Sequence, residues 1–415
     1  MNKDWKKNVV LFLMSQTISL FGTSLVQYAI MWHITLETQS GLMMTISIIC
    51  GFLPIFLLSP FAGVWADRYN RKNLIAIADS FIAISTLILA ILFYYGYESI
   101  WLLFVASSIR ALGSGVQSPA VNAFIPQIVP EDKLTKVNAT NGSVQSMVTL
   151  LSPMVSGALL TLTSIEVILM IDVVTAAIAV SILVLFLRVE SHSKALEKQE
   201  TSYFKDMRDG IKYINEHSFL KVYFAFLAVF YVLLAPAAFL TPLQTARTFG
   251  DDVWRLTALE VVFSIGMVIG GISMASWGGF KNRIHTMSLA CVVMGLSTVA
   301  LGIVPYFWVY IFFMGLFGVV MPILNTPAMV LLQERVEGNY MGRVFSVLGM
   351  ISSIMMPFGM LVFGPMSDFV KIEKLLIGTG ALIVVVSFFF VKSKVLIEAG
   401  KPVIKPDLLE DGDMN

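Results

Sequence analysis

The chain has 415 residues, 57% of them hydrophobic and only 13% charged, with 28 Lys and Arg against 27 Asp and Glu and a mean hydropathy of +0.81. A soluble domain carries about 25% charge, and a water-exposed surface built from this composition would be covered in apolar patches, so the chain is read as a membrane protein. The formal charge of +1 speaks against a nucleic acid or other polyanion as partner, and Cys50 and Cys291, each in an apolar run, read as inert packing thiols.

In chain order, apolar runs long enough to cross a hydrocarbon core of about 30 Å are predicted at 9–36, 42–66, 73–95, 100–125, 140–163, 166–188, 219–246, 256–279, 286–305, 307–332, 343–366 and 374–392. These twelve crossings leave no room for a separate soluble domain. The first run is too long for a signal-peptide core and stands as span one. One long polar interval, Glu190 to Ser218, divides the spans six and six. The expected organisation is an N-terminal six-helix bundle over 1–190, a cytoplasmic linker over 191–218, a C-terminal six-helix bundle over 219–392 and a cytoplasmic tail over 393–415. Basic residues in short loops resist translocation. A cytoplasmic N-terminus puts 23 Lys and Arg inside and only Arg247, Arg255, Lys371 and Lys374 outside, with Arg110 left within a span. Both termini are therefore expected in the cytoplasm. A weak internal echo, Trp65 to Asn70-Arg71 closing span two and Trp277 to Asn282-Arg283 closing span eight, suggests two related halves, an arrangement that suits a transporter whose bundles rock about a central site.

The loop after span two reads Gly63, three residues, Asp67-Arg68, two residues, Arg71-Lys72. At these positions the sequence resembles the major facilitator superfamily, and the six-plus-six layout extends the resemblance over nearly the whole chain. It implies an all-α membrane protein of twelve helices in two pseudo-symmetric bundles, in which this loop latches the halves together. Asp67 suits the positively polarised N-terminus of span eleven, near Gly342 to Phe345, Gly63 permits close helix approach, and Arg68, Arg71 and Lys72 suit acidic neighbours and lipid headgroups. The second-half equivalent of Asp67 is Gly279, so a single strong clasp is expected.

Polar residues inside the spans are the candidate functional groups. In span one, Gln16, Ser19, Thr23 and Gln27 share a helical stripe, and in span four Ser107, Arg110, Ser114 and Gln117 share another. Such stripes either line a wet cavity or form interhelical hydrogen-bond seams. Arg110 lies about 15 Å deep by helical rise; its guanidinium stays charged and must find protein or water. Arg110 with Gly113 and Gly115 resembles the fourth-span arginine motif of the superfamily, implicated in proton transfer in proton-coupled members. Ser152-Pro153 with Ser156-Gly157 resembles, with two substitutions, the fifth-span signature of its drug:proton antiporters; Pro153 kinks the helix and Gly157 allows tight packing. Asp79, Asp172 and Glu260 are the carboxylates within spans. Each is costly if ionised and unpaired, and each is therefore a proton carrier or a structural partner; with Arg110, Asp172 and Glu260 are the proton-coupling candidates. Tyr231, Gln244, Asn325 and Thr326 are further cavity candidates, because spans seven and ten line the pathway in the family. His33 reads as an interfacial residue beside Trp32, and no histidine stands in a metal-ligand pattern.

The sequence looks most like bacterial macrolide-efflux permeases, on the start of span one, the complete second-loop motif and the Val129 to Asn138 loop. The resemblance implies a monomeric transporter in a bacterial cell membrane, surrounded by lipid, that exports hydrophobic or amphipathic compounds in exchange for protons by alternating access. A proton-coupled transporter of an endogenous metabolite is the alternative. No cofactor is expected, and the absence of a G-x-x-x-x-G-K-[ST] pattern argues against direct drive by ATP. An enzyme acting on lipid would need a metal cluster or activated nucleophile that the histidine census does not offer.

Overall fold

The structure, a computed structural model, describes residues 5–187, 189 and 203–402, with the side chains of Pro60, Asp67, Asn339 and residues 203–207 outside the description. The linker residues 191–202 and the tail beyond 402 therefore lie outside the described residues. The first half contains α1 (Trp5–Thr38), α2 (Gly41–Arg68), α3 (Arg71–Tyr94), α4 (Ile100–Ile128), α5 (Leu134–Leu162) and α6 (Ile165–Ser181), the last continuing into a π-helical turn, Ile182–Phe186. The second half contains α7 (Tyr203–Glu216), α8 (Ser218–Phe239), α9 (Thr241–Phe249), α10 (Val253–Trp277), α11 (Arg283–Ile303), α12 (Phe307–Arg335), α13 (Gly338–Met366), α14 (Ile372–Lys392) and α15 (Lys394–Ala399). No strand occurs among the described residues. Among the described residues, twelve segments are long and apolar enough to cross a membrane, α8 and α9 together forming the seventh.

The twelve predicted spans are all present, and several helices run past the apolar window. The fifth begins at Leu134 rather than at 140, after a short 3-10 turn at Glu131–Lys133. Apolar run length marks the stretch suited to lipid, whereas the helix itself stops where capping and turn chemistry stop it. Ser40, Asn70 and Asn282 supply those starts, each accepting a backbone N–H of the first turn of α2, α3 and α11. Asn70 and Asn282 belong to the internal echo, so the repeated Asn-Arg pair has a common local cause. At Gly278 and Gly279 the chain takes φ of +74° and +83°, a left-handed turn that glycine makes without strain, and this accounts for glycine opposite Asp67 in the repeat.

The chain folds as two compact units. Unit 1 comprises 1–204 together with 239–261 and 360–370, so it draws α9, the start of α10 and the end of α13 from the second half of the sequence. Its core has two apolar clusters. One is built around Leu25, Ile30, Phe93, Leu103 and Ile168, the other around Phe12, Ile75, Phe124, Ile128 and Leu183. Between them α1 approaches α6 at Gly22, where a Cβ would run into the Thr175 hydroxyl and the Asp172 backbone. Close helix approach at small residues is a main source of packing energy in lipid, where hydrophobic burial between helices is weak.

Unit 2 comprises 205–238, 262–359 and 371–415. Gly266 and Gly270 of α10, a G-x-x-x-G pair, meet the carbonyls of Gly315 and Val319 on α12, while Gly295 of α11 and Gly380 of α14 each face the other's carbonyl. Phe226 stacks on Phe390 with ring centroids 3.9 Å apart. The short α15 is tied down by Asn282, which donates to the Ile397 carbonyl at 2.8 Å, and by Arg335, which donates to the Ala399 carbonyl at 2.8 Å.

A further glycine contact in unit 1 gives a direct prediction. Gly41 and Gly364 bring α2 against the end of α13, and the Thr45 hydroxyl donates to the Met360 carbonyl at 3.1 Å. A side chain at 364 would strike the Thr45 hydroxyl and the Gly41 carbonyl, one of them backbone that cannot rotate away. Gly364→Leu is expected to destabilise by about 1–3 kcal/mol, read as a lowered midpoint of thermal unfolding in detergent; an unchanged midpoint would mean that this crossing carries no packing energy.

Candidate functional site

Between the two apolar clusters of unit 1 lies a layer of polar side chains from four helices. Arg110 of α4 is buried at 6% exposure and Asp172 of α6 at 1%. Arg110 Nη1 donates to Asp172 Oδ2 at 2.5 Å and to the Thr86 hydroxyl of α3, and Nη2 donates to the Thr23 carbonyl of α1 at 3.2 Å. The Thr86 hydroxyl in turn donates to Asp172 Oδ2 at 3.1 Å. Two turns along α3, Asp79 is 1% exposed and its Oδ1 accepts from the Ser19 hydroxyl of α1 at 3.0 Å and from Gln117 Nε2 of α4 at 2.6 Å. A buried ion pair costs desolvation that its mutual attraction only partly offsets, so its presence marks function or specificity rather than stability.

The layer settles how the two polar stripes are used. Arg110 and Gln117 of the span-four stripe point into the bundle of unit 1 as an interhelical seam, as does Ser19 of the span-one stripe. Gln16, Thr23 and Ser114 are half-buried beside this seam and Gln27 is exposed. Gln244, expected to line a cavity, is buried at 1% in α9. Tyr231, half-buried, and Asn325, exposed, lie in unit 2. Asp79 and Asp172 face the interior of unit 1. Glu260 of α10 is half-buried and acts electrostatically on the Tyr28 hydroxyl of α1. Three residues before it, Thr257 fills the space where a Cβ at Gly157 would lie, so Gly157 lets α5 and α10 touch. One residue before Gly157, the Ser156 hydroxyl donates to the Leu25 carbonyl at 3.0 Å. Pro153 is buried inside α5.

In the second-loop motif, Arg71 donates to the Ala66 and Ala123 carbonyls, both at 2.9 Å, and Lys72 donates to the Val184 and Leu187 carbonyls at 3.2 and 2.7 Å. Where acidic neighbours and lipid headgroups were expected for Lys72, its ammonium serves the carbonyls that the end of the sixth span leaves unpaired, a favourable place for a cation. Gly63 and Arg68 are exposed. A Cβ at Gly63 would meet open space, so the close approach expected of it is not made in this structure. The Asp67 side chain, the centre of the predicted latch, lies outside the described residues.

A second cluster joins the α1–α2 turn to segments from the other half of the sequence. Asp368, just beyond α13, accepts from the Ser40 hydroxyl at 2.8 Å and from the backbone N–H of Gly41 at 2.8 Å and of Leu42 at 3.0 Å, so it caps α2 from outside. Arg247 of α9 donates to Asp368 Oδ1 at 2.8 Å, to the Ser367 carbonyl at 2.7 Å and, through two nitrogens, to the Gln39 carbonyl. Gln39 sits at φ +44°, a left-handed conformation that costs a non-glycine residue about 1–2 kcal/mol, and the guanidinium holds it there. Burial alone would push the Asp368 carboxyl up, but the Leu42 and Gly41 amides, the Ser40 hydroxyl and Arg247 outweigh it and hold the carboxyl below its ordinary range. Sequence reasoning did not find this cluster. Its one signal was Arg247, an exception to the charge asymmetry of the loops.

Among the described residues, twelve helical segments long and apolar enough to cross a membrane mark a multi-pass membrane protein. A family model described as Major Facilitator Superfamily matches residues 10–360, and the chain belongs to that family. It is 28% identical over 386 residues to macrolide efflux protein A of Streptococcus pyogenes, covering 92% of this chain and 95% of that protein. It is 29% identical over 323 residues to macrolide efflux protein A of Enterococcus faecalis, covering 77% of this chain and 99% of that one. Among solved structures, that of the nucleoside transporter NupG superposes with a TM-score of 0.67 at 15% identity, covering 95% of this chain and 100% of that one. It shares the fold.

Proposed function

We propose that this transporter exports amphipathic, largely apolar compounds of the macrolide type in exchange for protons, by alternating access, from a cell whose cytoplasm holds both termini. The export reading is supported by the similarity to two macrolide efflux proteins over most of the chain. The observation that carries proton exchange is the buried layer of unit 1, where Arg110 and Asp172 are held among four helices at a desolvation cost that packing alone does not require. Arg110 and Asp172 are assigned to coupling together with Glu260, whose carboxylate lies within reach of the Tyr28 hydroxyl electrostatically. Gln16, Thr23, Gln27 and Ser114 on unit 1, and Tyr231 and Asn325 on unit 2, are assigned to substrate contact. The basic-residue asymmetry of the loops supports the orientation.

Expression in a bacterial strain stripped of its own efflux pumps tests the reading. Accumulated erythromycin is expected to fall several-fold and to return to control levels when a protonophore collapses the gradient. Unchanged accumulation of every macrolide, with an endogenous metabolite moving instead, would overturn the drug assignment. In proteoliposomes containing only this chain, adding erythromycin should produce a pH change, and its absence would overturn proton exchange.

A further inference from the structure

The charged layer contains two carboxylates that differ in one physical respect. Asp172 has a cation of its own in Arg110, and although its Oδ1 is buried without a partner, the pair is neutral as a whole. Asp79 is equally buried, yet among the described residues its only hydrogen-bond donors are the neutral Ser19 and Gln117, both on Oδ1. Its Oδ2 is buried and has no hydrogen-bond partner. The charged group that acts on Asp79 is Asp172 of α6, a like charge, with Arg110 of α4 already committed to Asp172. An ionised Asp79 is thus an uncompensated charge between two apolar clusters, a strongly unfavourable arrangement. A proton on Oδ2 removes that charge and gives the atom a hydrogen to donate. Gln117, which donates to Oδ1 at 2.6 Å, is itself half-buried.

From this asymmetry we infer that Asp79 carries the exchanged proton on Oδ2, while Asp172 beside it stays paired with Arg110. The assignment rests on the proton-exchange reading above. In each cycle an O–H bond forms on Oδ2 with a proton taken from water on one side of the membrane and breaks to return it to water on the other. The like charge of Asp172 sharpens the switch, because ionising Asp79 requires the layer to open to water or to a cationic partner. Ser19 and Gln117 are positioning residues that keep Oδ1 occupied and leave Oδ2 as the reacting atom.

Two measurements on the purified full chain test this. The infrared spectrum is expected to contain a carboxylic-acid C=O band that titrates with pH, disappears in Asp79→Asn and persists in Glu260→Gln. In proteoliposomes with erythromycin as the probe, Asp79→Asn is expected to lose gradient-driven accumulation entirely while keeping exchange of labelled for unlabelled erythromycin at equal pH. Gln117→Leu, which removes a neutral donor to Oδ1 and no charge, should displace the pH profile of gradient-driven transport. An unchanged infrared band in Asp79→Asn, or gradient-driven accumulation at the wild-type level, overturns the assignment. So does loss of both gradient-driven transport and exchange in a variant that melts like the wild type. A wild type that transports erythromycin without regard to the gradient overturns the exchange reading itself, and the role of Asp79 with it.

Discussion

Asp172→Asn is expected to destabilise the protein by about 3–5 kcal/mol, because it leaves Arg110 buried at 6% exposure with no counter-ion. Arg110 cannot shed its proton to relieve the loss. The Thr86 hydroxyl and the Thr23 carbonyl remain beside it, but both are neutral. The effect should appear as poor recovery of folded protein and a lower midpoint of thermal unfolding in detergent. A double variant separates stability from function. In Arg110→Met with Asp172→Leu no charge is left behind, and replacing a buried ion pair by apolar groups of similar volume is often neutral or better. That variant is expected to melt near the wild type and to be inactive in proton-coupled efflux. If it transports normally, the pair is scaffold alone. Asp79→Asn strips a charge without stranding a cation, so its stability should match or exceed the wild type, the opposite of what Asp172→Asn does one helix away.

The second large effect is expected at Asp368. Asp368→Ala leaves the Gly41 and Leu42 amides without their cap and Arg247 without its carboxylate. Loss of a helix cap costs about 1 kcal/mol. Because the Asp368 and Arg247 side chains are 24% and 29% exposed, the ion pair itself adds less than a buried one would. The local consequence is larger than the global one. The Gly41 and Leu42 amides should exchange hydrogen markedly faster, since Asp368 is the acceptor of both. The pH dependence has a definite sign. The folded-state carboxyl lies below its ordinary range, so its contribution is present in full above that range and is lost as pH falls through the lowered value. The difference in thermal midpoint between wild type and Asp368→Ala should therefore be greatest at neutral pH and shrink on strong acidification. A difference that grows on acidification would show that the carboxylate is not what stabilises the cluster.

The contrast between these two sites explains how far the candidate site was legible. Arg110 stood out because a guanidinium about 15 Å deep in lipid has so few places to go, and Asp172 because carboxylates within spans are rare. Asp79 was visible for the same reason. Thr86 was not, because a threonine in an apolar helix is unremarkable until the residue opposite it is known. The Asp368 cluster was less visible still, since Ser40, Arg247 and Asp368 lie far apart in the chain and each is an ordinary loop or helix-end residue. The glycine crossings divide in the same way. The G-x-x-x-G pair at Gly266 and Gly270 is readable from spacing, whereas Gly22 against Thr175 and Gly157 against Thr257 depend on which helix arrives there.

The order of the twelve spans and the family follow from the linear chain, because run length and turn chemistry are local properties that no later packing changes. Helix rotation and crossing are decided only in three dimensions, and with them whether a polar stripe meets water or another helix. That is why Gln117 turned out to hold Asp79, why Gln244 is buried, and why segments 239–261 and 360–370 pack with the first half of the chain. Gln117 and Asp79, for example, stand 38 residues apart on two different helices, and sequence spacing carries no information about how such helices rotate against each other.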